Sequence, residues 1–198
     1  NPTIKQVLDT YKGKVQFQFR NQPLGFHKRA IPAAQAALAA HAQGKFWQMH
    51  DKLFENQKAL EDADLEKYAK ETGLNVAKLK KDMAGPEVAA RTKQDQADAG
   101  KFGARGTPTL FINGIPVRGA QPFPAFKAII DKEIARAEKL MKSGISKKNV
   151  YAEILKRESG KTIDGGKPTA AAPEAAPAPE PEPEKRVEVR DDKIIIND

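Results

Sequence analysis

Apolar positions recur at helical spacing from the start of the chain. Ile4, Val7, Leu8 and Tyr11 share one face, with Asn1-Pro2 ahead of them and Gly13 behind. Asparagine suits an N-cap, proline suits a first helical position, and glycine marks the stop. The period then shortens to two, as Val15, Phe17 and Phe19 alternate with Gln16 and Gln18. That alternation predicts a strand ending near Arg20. A helix and a strand joined by a glycine turn read as the later part of a βαβ unit, whose first strand is expected before Asn1.

A Pro/Gly loop spans Asn21 to Phe26, and an Ala-rich helix is predicted around Ala33–Ala42. Phe46, Trp47, Leu53 and Phe54 follow at helical spacing and are expected in the core. Asp62 or Asp64 can cap a helix carrying Leu65, Tyr68 and Ala69, which Gly73 ends. Asn75 can cap the next, with Val76, Leu79 and Met83 inward and Gly85-Pro86 as its break. Residues 87–102 predict a polar helix with Val88, Ala89 and Ala99 on one side.

A small-residue turn, Gly103-Ala104-Arg105-Gly106, then runs into Thr107-Pro108, the apolar run Thr109–Ile112, and Asn113-Gly114. Asn-Gly after an apolar run is a hairpin signal. Pro108 cannot donate to a ladder, so it is expected at the first residue of the strand. Val117 and Arg118 read as the start of the return strand, closed by Gly119. Phe123, Phe126, Ile129, Ile130, Ile134 and Leu140 line a long amphipathic helix that Gly144 closes. Val150, Tyr151, Ile154 and Leu155 predict a short final helix.

From Gly160 the composition shifts, with six prolines between Pro168 and Glu184 interleaved with Ala and Glu. Such a stretch is an extended linker with no means of burying a core. Residues 1–159 thus read as one globular domain with a helical insertion over about 27–102, and 160–185 as a Pro/Ala/Glu-rich disordered linker. Residues 186–198 hold two short β-like runs around a polar turn, the start of a further domain or a tail.

Charge follows the same division. Residues 1–159 carry 28 Lys/Arg against 17 Asp/Glu, whereas 160–198 carry six against nine. A basic body favours anionic partners through long-range attraction. Its lysines are interspersed with acids in places such as Lys67–Glu71 and Lys78–Asp82, the pattern of a solvated helix face, and no specific nucleic-acid partner is expected. No apolar run reaches the roughly 20 residues of a membrane span.

The chain contains no cysteine, which excludes thiol chemistry and disulfides within these 198 residues. His27, His41 and His50 have no metal-ligand spacing, so no metal is expected. Ser159-Gly160-Lys161-Thr162 carries the end of a phosphate-binding loop, but the required first glycine is Leu155. No serine lies in a nucleophile turn, and no acid/base constellation stands out.

Two stretches carry a resemblance. Gly103–Gly114 is similar to the cis-proline loop and hairpin of DsbA-like thiol–disulfide oxidoreductases. The run from Gly25-Phe26-His27-Lys28 to Gly44-Lys45-Phe46-Trp47-Gln48-Met49-His50-Asp51-Lys52-Leu53-Phe54 is similar to their helical insertion. The resemblance covers about residues 1–142 and implies an α/β, thioredoxin-like fold whose first strand is missing. It implies no cofactor, a periplasmic or cell-envelope location, extended or unfolded polypeptide substrates, and a redox partner protein. It also implies that Gly106, Thr107 and Pro108 bind substrate, with the Thr107 backbone pairing to an extended peptide.

The family's Cys-x-x-C is expected just before Asn1, at the start of the first helix, where the helix dipole lowers a thiol pKa. With no cysteine, these 198 residues are expected to be redox-inactive by themselves. Three functions therefore compete: a domain of a thiol–disulfide oxidoreductase, a non-catalytic thioredoxin-like peptide-binding module, and a basic surface for anionic polymers with steep salt dependence. In the family fold the missing strand lies between the strands carrying Val15–Phe19 and Thr109–Ile112. Both facing edges are then expected to be unpaired.

Overall fold

The structure, a computed structural model, describes residues 2–158, 189–190 and 193–195. The chain divides into two compact units. The linker expectation lies outside the described residues.

One unit holds, of the described residues, 2–15 and 108–158. Its first helix, α1 (Pro2–Thr10), buries Val7. The next turn of chain buries Tyr11, whose carbonyl accepts from Lys14 N–H and Val15 N–H. Strands β2 (Thr109–Ile112) and β3 (Ile115–Arg118) pair antiparallel, from Thr109↔Arg118 to Ile112↔Ile115. The two-residue turn between them places Asn113 at φ 49° and Gly114 at φ 90°. Positive φ at both positions is what a tight hairpin of matching twist requires.

Helix α7 (Phe123–Lys142) lays Phe126 and Ile130 on Val7, Tyr11 and Val117, with Ile4, Leu110 and Ile112 around them. Helix α8 (Lys147–Glu158) returns against the end of α7, packing Val150 and Ile154 on Leu140. Between the two helices Ile145 N–H donates to Leu140 O at 3.1 Å, and Gly144 sits at φ 97°. A glycine in that left-handed conformation closes a helix without strain.

The other unit spans residues 16–107 and includes β4 (Val189–Arg190) and β5 (Lys193–Ile195). Its core is helical: α2 (Ala30–His41), α3 (Phe46–Glu55), α4 (Asp62–Glu71), α5 (Val76–Met83) and α6 (Pro86–Lys101). Alanines at 36, 37, 39 and 40 are buried around α2 and let α3 and α5 approach closely. Met49, Leu53, Leu65, Tyr68, Leu79 and Val88 fill the remaining space.

Several expectations are corrected. The strand expected over Val15–Phe19 forms a ladder only at β1 (Gln16–Phe17), where β5 opposes it in the register Gln16↔Ile195 and Phe17↔Ile194. One edge of β1 is therefore paired, in a sheet of order β1-β5-β4, while β2 and β3 form a separate sheet. Helix α4 is capped by Glu61 rather than Asp62 or Asp64. Glu61 and Asp64 exchange bonds with each other's backbone N–H, a reciprocal box that places Asp64 three residues inside.

Phe54 is 58% exposed because α3 turns Phe46, Met49 and Leu53 inward, leaving Phe54 on the neighbouring face with His50. Thr92 and Asp95 join the expected Val88 on the buried face of α6, where Ala89 and Ala99 are only half-buried. Pro108 precedes β2 instead of opening it, and β3 begins at Ile115, two residues before Val117.

Candidate functional site

The Gly106–Pro108 loop is held at both ends by backbone chemistry. Upstream, α6 stops at the cap residue Phe102, and Gly103 takes φ 70°. Gly103 N–H donates to Gly100 O at 3.2 Å, and Ala104 N–H donates to Ala99 O at 2.8 Å. This pair of bonds is the left-handed helix stop that satisfies the last carbonyls. Ala104 is buried, and its carbonyl accepts from Gln22 Nε2 at 3.3 Å. Downstream, Pro108 O accepts from Gly119 N–H at 2.9 Å, extending the β2–β3 ladder by one bond.

Between these anchors Arg105, Gly106, Thr107 and Pro108 are all exposed. Neither backbone group of Thr107 is hydrogen-bonded among the described residues. An accessible N–H and C=O on a segment leading into a strand can accept an extended peptide as an added strand. The loop itself offers no nucleophile, acid or base.

The α6 end of this loop is fixed by a charge cluster that the sequence pattern did not reveal. Asp95, 1% exposed, accepts from Arg20 Nη1 at 2.9 Å, Arg91 Nε at 3.0 Å and Asn21 N–H at 2.9 Å. The cluster ties the segment after β1 to α6. A hollow lined in part by Phe19, His41, Trp47 and Asp95 encloses only about 10 Å³, which is room for a single water. It is no ligand pocket.

An aromatic group lies in the same unit. The His50 ring meets Phe19 at 4.8 Å, Trp47 at 5.1 Å and Phe54 at 4.6 Å between centroids. Trp47 also stands edge-on to Phe46 at 5.0 Å. These spacings are those of packed aromatic pairs. Of the three histidines singled out in the sequence, His41 and His50 both pack against Phe46, and His27 stacks beside Phe26. Among the described residues no three His, Cys, Asp or Glu side chains converge as metal ligands would.

In the other unit Tyr11 Oη donates to Asp131 Oδ1 at 2.6 Å and Lys127 Nζ donates to Asp131 Oδ2 at 2.6 Å. The Lys127 hydrogen bond, then that of Tyr11, holds the Asp131 carboxyl below its ordinary range. Burial, followed by the Asp131 hydrogen bond, pushes the Tyr11 phenol up. The arrangement joins α1 to α7.

Comparison with known proteins supplies the class. Residues 4–131 match the DSBA-like thioredoxin domain. The chain belongs to that family, and its fold is thioredoxin-like with a helical insertion. A crystal structure of a thioredoxin-like oxidoreductase from Silicibacter pomeroyi is similar at TM-score 0.53 and 32% identity, covering 58% of this chain and 65% of that one. Among curated proteins, the Na(+)/H(+) antiporter NhaA 3 of Salinispora tropica is 36% identical over 137 residues, which are 69% of this chain and 21% of the antiporter. The Na(+)/H(+) antiporter NhaA of Herminiimonas arsenicoxydans is 38% identical over 108 residues, 54% of this chain and 17% of the relative. The chain thus spans about a fifth of the length of these curated relatives. Among the described residues no helix is long and apolar enough to cross a membrane.

Proposed function

We propose that this chain is the polypeptide-binding part of a cell-envelope thiol–disulfide exchange protein, with Gly106, Thr107 and Pro108 as the substrate-binding loop. The observation carrying the proposal is the exposed Thr107 backbone, unbonded among the described residues, between a closed helix end and a paired hairpin. Membership of the DSBA-like family supports the reaction class and protein substrates for it, and the similarity to the Silicibacter pomeroyi thioredoxin-like oxidoreductase supports the reaction class. Thiol–disulfide exchange needs a thiolate attacking a disulfide through a mixed disulfide. The 198 residues contain no sulfhydryl, so the cysteine pair has to be supplied from outside them. In this reading the Thr107–Pro108 bond is cis, and the loop presents one strand of substrate to that pair.

The absence of cysteine favours a second reading, a thioredoxin-like module that captures extended peptides without redox chemistry. Intact mass of the protein purified from its source, before and after reduction and alkylation, separates the two. A gain of two alkyl groups supports the exchange protein. A gain of none gives the lead to the peptide-binding module.

A further inference from the structure

We propose that the elbow between α7 and α8 is a docking surface for anionic lipid headgroups. Lys139 and Lys142 lie in the last turn of α7, and Lys147 and Lys148 in the first turn of α8. All four are exposed, and no acidic residue intervenes between Glu138 and Glu153. None of the four forms an ion pair among the described residues. Four lysines elsewhere are ion-paired, in Lys52–Glu71, Lys78–Asp82, Lys80–Glu66 and Lys127–Asp131, whereas the elbow gathers four unpaired ones at one end of a helical hairpin.

The positions of Lys147 and Lys148 run against local helix energetics. Cations are favourable at a helix C-terminus, where Lys139 and Lys142 sit, and unfavourable in a first turn. The Gly144 turn brings the two pairs to one end of the helical hairpin, so their mutual repulsion adds to that cost. An anionic surface offsets both. The elbow's exposed apolar groups decide between a lipid surface and a nucleic acid. Tyr151, 59% exposed, stands one turn after Lys147 and Lys148 on the same face, and Met141 is 38% exposed between Lys139 and Lys142. A tyrosine and a methionine set among lysines suit the headgroup boundary, where an apolar body and a cationic rim are both satisfied.

The test is co-sedimentation of the whole 198-residue chain with phosphatidylcholine vesicles, with and without phosphatidylglycerol. Binding only to the anionic vesicles, weakening as salt rises, is expected. Each lysine near an anionic membrane contributes about fivefold, so the combined Lys139→Gln, Lys142→Gln, Lys147→Gln and Lys148→Gln variant is expected to lose more than about a hundredfold. Tyr151→Ser is expected to weaken binding as well, while Lys67→Gln with Lys70→Gln leaves it unchanged. Should the fourfold variant not fold, Lys147→Glu alone is expected to lose at least about fivefold. No binding to anionic vesicles at low salt overturns the proposal, as does equal loss in the α4 control. Binding to duplex DNA that exceeds vesicle binding and ignores Tyr151→Ser assigns the elbow to nucleic acid instead.

Discussion

Replacing Asp95 by alanine removes four hydrogen bonds at once, from Arg20, Arg91 and both the backbone and side-chain N–H groups of Asn21, at a carboxylate that is 1% exposed. The three partners do not lose equally. Asn21 is buried, so its N–H is left without an acceptor, at about 1–3 kcal/mol. The Arg20 and Arg91 side chains keep 43% and 30% exposure and recover water, so each contributes only about 0.5–1 kcal/mol. Together these put the loss at about 2–5 kcal/mol, reaching the cost of breaking a fully buried pair at its upper end. For a chain of this size that corresponds to roughly 4–20 °C in midpoint. Urea and thermal unfolding followed by circular dichroism measure it directly. Arg20→Ala alone is expected to cost under about 1 kcal/mol. A loss below about 1 kcal/mol for Asp95→Ala, or equal losses for the two variants, would refute the reasoning that the buried backbone partner dominates.

Three further predictions follow from the packing. Leu79→Ala opens a cavity in the helical unit, where Leu79 is 1% exposed, and is expected to cost about 2–5 kcal/mol in urea unfolding. Asn75→Ala removes the side-chain acceptor of Lys78 N–H at the start of α5 and is expected to cost about 1 kcal/mol by the same measurement. The Asp131 carboxyl has a lowered pKa in the fold, so its contribution is fully present above the unfolded-state carboxyl pKa and lost as pH falls through the folded one. Tyr11→Phe deletes one of the two bonds responsible, so its destabilisation is expected at neutral pH and to shrink in acid. A destabilisation constant down to acid unfolding would contradict that assignment.

Local signals were legible where they are written in a few adjacent residues. Asn113-Gly114 announced the hairpin because both positions need positive φ. Asn75 announced a cap, and Gly144 a helix end, by equally local chemistry. The true cap of α4 was harder, since acids stand at 61, 62 and 64 and only the reciprocal geometry selects Glu61. The burial of Asp95 on the α6 face was not legible, because Asp95 is satisfied by Arg20 and Asn21, more than seventy positions earlier. Nothing local to residues 87–102 encodes those partners. Arg91, one helical turn before Asp95, was the single nearby clue. The strand at residues 15–19 failed for a related reason: alternation specifies a pleated face, but ladder length depends on what lies alongside. At the candidate site, the Thr-Pro turn and its glycines were visible, whereas the anchoring of Ala104 by Gln22 was not.

Peptide binding at Thr107 is the central claim, and a titration tests it most directly. A fluorescently labelled extended peptide is followed by anisotropy against the chain and against Thr107→Pro. The substitution deletes the Thr107 N–H at an exposed position while leaving the Ala104 and Pro108 anchors in place. Saturable binding by the unaltered chain, with an affinity loss of up to about tenfold in the folded variant, is the predicted result, matching one lost hydrogen bond. Equal affinity for both proteins, or no binding by the unaltered chain, would contradict the assignment of Gly106–Pro108 as the substrate loop.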